Sequence, residues 1–165
     1  MNPESRFFSG KGLILGGSHN VSPLSAHCYC GDLSAVLIQN ISPLINMIRV
    51  PSKKIALMSE WESKLEAICQ STMHSHVTNL SGVPSWFLVL IKLMLKKSGK
   101  TYLTEIWPDL EVFFHGGISF DPYRTQYEEL IPSAKMHYVE TYNASEGFFA
   151  VQNESTPGML LMLDL

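Results

Sequence analysis

The chain has 165 residues, 45% of them hydrophobic and 16% charged, with a net charge of −3. That length makes one ordinary domain with a real core, and the charge gives no electrostatic case for nucleic acid or an anionic membrane as a partner. The N-terminus has no secretory pattern, the apolar stretch 83–95 contains Lys92 and is too short to span a bilayer, and three cysteines make no disulfide framework; a reduced, cytoplasmic setting is expected.

Residues 1–9 are polar without a clear period and are read as irregular. Residues 12–15 read as a short buried strand ending in the turn signal Gly16-Gly17. A loop over 18–31, a helix over 32–39 and a short helix over 43–47 follow, with Pro51 marking a stop. Over 52–73, Leu57, Trp61, Leu65, Ile68 and Cys69 form one helical face opposite Lys53, Glu60, Glu62 and Glu66, and Trp61 and Leu65 are expected to be buried. A strand over 77–80 and a turn at Gly82-Val83-Pro84 lead into 86–95, apolar on almost every side and so a buried helix. Lys96-Lys97 suit its last turn and Gly99 its cap. A strand over 110–114 precedes a helix over 122–130 with Asp121 as N-cap and Pro122 first. Strands over 137–140, 148–152 and 159–163 complete the set, with a turn over 153–158.

Strands alternating with helices predict an α/β fold with a mainly parallel sheet covered on both faces. In such sheets ligands bind beyond the carboxyl ends of the strands. Two segments put small residues there: His115-Gly116-Gly117 after the 110–114 strand, and Thr141-Tyr142-Asn143-Ala144-Ser145-Glu146-Gly147 after the 137–140 strand. The two turns are expected to open at the same end of the sheet. The second combines an aromatic ring, a hydroxyl and a carboxylate, a set able to stack a base, bond a phosphate and hold a hard cation. Its bland alternative is a solvated turn. The apolar end of the chain at Leu165 and the low charge content lead us to expect a segment of a larger domain, lacking parts at both ends.

Other features read as structural. His27-Cys28-Tyr29-Cys30 lacks a second ligand pair at metal-site spacing. Gly10-Lys11-Gly12 lacks the ending of a phosphate loop. His115 and His137 read as residues that orient loops, Asp32 as a loop anchor through backbone amides, and Arg124 as an exposed helical arginine.

The words Phe113-Phe114-His115-Gly116-Gly117-Ile118-Ser119-Phe120-Asp121-Pro122-Tyr123-Arg124 and Tyr142-Asn143-Ala144-Ser145-Glu146-Gly147-Phe148-Phe149 resemble the auxin-responsive acyl acid amido synthetases (the Gretchen Hagen family), especially bacterial members. The resemblance extends to Leu15-Gly16-Gly17-Ser18-His19, Tyr29-Cys30-Gly31-Asp32-Leu33-Ser34-Ala35 and Ser81-Gly82-Val83-Pro84-Ser85-Trp86. It implies a middle segment from the N-terminal domain of an adenylate-forming enzyme. ATP and Mg²⁺ would be its cofactors, and a carboxylic acid and an amino acid its substrates. Glu146 would be the catalytic Mg²⁺ ligand, Ser145 a phosphate contact and Tyr142 a ring beside adenine. Gly116, Gly117, Thr141, Asn143 and Ala144 would complete the nucleotide site, although Asn143 stands where the family often has Gly or Ala. Val83 and Trp86 would belong to the acyl-substrate wall; by periodicity alone Trp86 and Phe87 are core residues. The family's phosphate loop, its ribose-binding aspartate and its mobile C-terminal domain match nothing in the chain, so the isolated segment is expected to lack turnover. The alternative is a non-catalytic nucleotide-binding or interaction module derived from that fold.

Overall fold

A computed structural model describes residues 5–16, 22–25, 28–30, 33–144, 146–153 and 158–163. In chain order it contains β1 (Lys11–Leu15), β2 (Ser22–Ser25), β3 (Cys28–Cys30), α1 (Leu33–Asn40), α2 (Pro43–Met47), β4 (Arg49–Val50), α3 (Lys53–Ala56) and α4 (Trp61–Thr72). Then come β5 (Val77–Gly82), α5 (Pro84–Ser98), β6 (Val112–His115), α6 (Asp121–Leu130), β7 (His137–Ala144), β8 (Gly147–Val151) and β9 (Leu160–Leu161). Seven strands form one sheet in the order β4-β1-β5-β6-β7-β8-β9. The first five, β4 to β7, are mutually parallel, β8 pairs antiparallel with β7, and β9 antiparallel with β8. This is the mainly parallel α/β sheet that the alternating pattern predicts.

One face carries the core. Leu13, Leu15, Leu80 and Phe113 project toward α4, α5 and α6, where they are buried with Ile68, Phe87, Ile91, Met94 and Tyr127. α5 packs into this layer through Phe87, Leu90, Ile91 and Met94, and Phe87 meets Phe113 edge-on at 5.1 Å. Val89, Lys92 and Lys96 are exposed on its outer side, so it is less buried than its apolar run suggests. The opposite face, with Ile14, Ser81, Phe114 and Val139, is only half-buried. α1 approaches it at one end.

Several boundaries differ from the sequence reading. The helix expected over 52–73 is two helices, because the Glu60 carboxylate accepts the Glu62 and Ser63 amides at 3.0 and 2.6 Å and starts α4. Leu65 is buried, whereas Trp61 is half-buried with its ring on Trp86 at 5.7 Å. Asp121 is the first residue of α6 and Phe120 stands at the cap, so the Asp121 carboxylate serves the helix dipole from within the first turn. β2 and β3 form a hairpin inside the segment read as a loop, and β4 is too short to leave a pattern. The strand expected to end at Glu140 runs on to Ala144, since β8 pairs with that extension.

Candidate functional site

The ladder aligns the strand ends. Leu15 pairs with Gly82, Gly82 with His115, and His115 with Glu140, so these four residues form a row across β1, β5, β6 and β7. One residue further along lie Gly16, Val83, Gly116 and Thr141, and all four line the same cavity of about 720 Å³. Its position follows from the connections. From β1 the chain crosses through α1 and α2 to β4 on one side, while from β5 it crosses through α5 to β6 on the other. α1 shares the cavity with Ile14, Ser81 and Phe114, whereas α5 packs against Phe113 on the opposite face. β1 and β5 are thus neighbours whose outgoing connections diverge, and the crevice between them is the site that open α/β sheets offer to ligands.

Apolar side chains make most of the walls: Leu33, Leu37, Ile38, Ile41 and Ile45 from α1 and the segment after it, Val83 and Trp86 from the start of α5, and Phe114 from β6. Ser81, Thr141, Asn143 and the glycine backbone supply polar groups, and among the described residues no charged side chain lines the space. An uncharged ring or chain fits here, with hydrogen-bonding groups at the rim beside β6 and β7. Phe87 is fully buried in the core, as its periodicity predicts, whereas Trp86 lines the cavity.

Two glycines make the rim possible. A Cβ on Gly116 would come within 2.2 Å of the Thr141 carbonyl oxygen, so the two segments touch only because no side chain intervenes. Gly117 has φ of 82°, in the left-handed region that favours glycine. The Thr141 hydroxyl donates to the His115 carbonyl at 3.1 Å and ties the same two segments together. Both glycine-bearing turns therefore open at one end of the sheet, as expected.

The second motif divides. Thr141 and Asn143 line the cavity with Gly116 and Gly117. Tyr142 does not: it is 53% exposed, and its ring packs on Phe149 at 5.4 Å. Ala144 ends β7, and Glu146 stands exposed in the two-residue connection to β8. Ser145 lies outside the described residues, as do His27 and Asp32. His137 is exposed, Cys28 and Cys30 belong to the β2–β3 hairpin, and Gly10-Lys11-Gly12 leads into β1.

One residue at this end escaped the sequence reading. Lys64, on α4, is fully buried, and its ammonium donates to the Gly16 carbonyl at 3.0 Å. It comes three residues after Trp61 and four before Ile68, on the apolar stripe of its helix, and that placement was the available signal. From behind the sheet it fixes the backbone at the end of β1.

Fold and site define an open α/β protein with a largely apolar cavity at the switch point of a parallel sheet. A family model described as the GH3 family N-terminal domain matches residues 2–136, and the chain belongs to that family, the acyl acid amido synthetases. No curated protein matches it. No helix among the described residues is long and apolar enough to cross a membrane.

Proposed function

We propose that this chain is a middle segment from the N-terminal domain of a bacterial-type, ATP-dependent acyl acid amido synthetase, which activates a carboxylic acid as its adenylate and transfers the acyl group to an amino acid. The observation that supports this reading is the single opening at which Val83, Trp86, Gly116, Gly117, Thr141 and Asn143 converge. The acid's apolar body would lie against Trp86, Val83 and the α1 wall. Its carboxylate would then point toward the Gly116 and Thr141 rim, where the nucleotide is held. The rim's backbone and hydroxyl groups orient the two reactants, and the apolar walls exclude water from the activated acid.

Mg²⁺ binds through one or two carboxylates together with phosphates and water, and the exposed Glu146 carboxylate at the hairpin tip suits that donor set. Bound there, the ion would neutralise charge as a carboxylate meets the α-phosphate and pyrophosphate leaves. Glu146 is then the metal ligand, Ser145 a phosphate contact and Tyr142 a ring available to adenine. A reducing, cytoplasmic setting goes with this reading, in keeping with the free, buried Cys69. The segment on its own is expected to have no turnover.

The test is acid-dependent pyrophosphate exchange by the full-length protein. Glu146→Gln should lower the rate about a hundred- to a thousand-fold, the usual cost of one lost transition-state contact. Exchange near the wild-type rate at saturating Mg²⁺ would remove the metal role. ATP binding without any exchange, across a panel of acids, would favour a nucleotide-binding module instead.

A further inference from the structure

His115 sits at the root of the glycine turn, and its imidazole is sealed into the core. The residue is 2% exposed, and neither ring nitrogen has a hydrogen-bond partner among the described residues. Its ring stacks on Phe120 at 4.2 Å and 22°, and it meets Phe113 at 5.5 Å. Phe120 stands at the N-terminus of α6, so this stack fastens the two ends of the 116–120 connection to each other. Buried polar groups are normally bonded, and an imidazole left without an acceptor tolerates this place only while neutral.

The surrounding charges give a proton no welcome. Arg124 lies over the far side of the stack, its guanidinium 5.0 Å from the Phe120 ring, and the carboxylates of α6 (Asp121, Glu128 and Glu129) are exposed to solvent. β5 carries no titratable side chain, and Lys92 on α5 is engaged by Gln126. The phenols of Tyr127 and Tyr138 are held neutral by burial. On β7, Glu140 pairs with His115 across the ladder without a bond to its ring.

We propose that His115 is a proton-operated latch: neutral, it holds the Gly116–Gly117 turn against α6, and on protonation its ring leaves the Phe120 stack and the turn opens. Burial first, and the Arg124 charge second, lower its pKa from 6.5 to about 4, so the closed turn binds a proton less readily than the open one. The sign follows. The closed form is fully favoured above pH 6.5 and loses ground as the pH falls from 6.5 toward 4. The device acts on the rim of the proposed nucleotide site but needs no ligand, so it can be tested apart from the proposed activity.

Amide hydrogen exchange of the full chain at pH 7 and pH 5, corrected for the intrinsic pH dependence, reads the latch directly. Opening of residues 116–124 should increase about twenty-fold between the two conditions, while β1 and β5 keep their protection. His115→Phe preserves the stack and removes the titrating group, and in that variant the increase should vanish. If His115→Phe does not fold, ¹⁵N-imidazole titration of the wild type decides the matter. A His115 pKa near 6.5 overturns the proposal. So does an increase spread equally over β1 and β5, or one that persists in His115→Phe.

Discussion

The cavity rim and the β7–β8 tip lie at one end of the same sheet, yet they are held in different ways. Gly16, Val83, Gly116 and Thr141 continue paired strands, and behind them stand Phe87, Phe113 and the Lys64 ammonium, all buried. The tip at Glu146 has β7 and β8 alone, and the strand beyond, β9, is two exposed residues long. The rim backbone proposed to orient the reactants thus rests on buried side chains of the core face. The Glu146 carboxylate, proposed as the ligand of a strongly hydrated ion, stands where water reaches it.

Substitutions can break or sharpen this contrast. The largest effect is expected for Gly116→Val, which forces a branched side chain into the Thr141 backbone and should cost about 3 kcal/mol in urea unfolding. Lys64→Met should cost about 2 kcal/mol, because the Gly16 carbonyl loses a charged donor in a buried place. Smallest is Glu146→Gln, expected within about 0.5 kcal/mol of the parent because the side chain is exposed. Comparable losses for Gly116→Val and Glu146→Gln would erase the distinction. A flat result for Lys64→Met would take the buried ammonium out of the rim's support.

The sequence showed the elements whose patterns are local. α2 lies where Pro43 and the following apolar residues put it, and Gly99 caps α5 as expected. Elsewhere a more distant interaction prevailed. Leu57 and Trp61 stay in helical phase across the break between α3 and α4, so periodicity could not reveal that the Glu60 side chain caps a new helix. Thr141, Asn143 and Ala144 are small or polar, as in a turn, and with Tyr142 they extend β7 because β8 returns to pair with them. At the site, matched words located the glycines and Thr141, but only the fold brings the α1 wall and Lys64 to the same end of β1. Their sequence separation from the later motifs hides that proximity.

β7 belongs to two kinds of sheet: it runs parallel to β6 and antiparallel to β8. Its partnership with β8 is a local hairpin, a unit that forms in about 1–10 μs, whereas its partnership with β6 waits for α6 to fold and cross over. The chain thus has reason to complete the tip before that tip has a sheet to stand on. A slow step in assembly would fall at the β6–β7 seam, and variants there should lengthen the folding time while leaving the hairpin's own formation untouched.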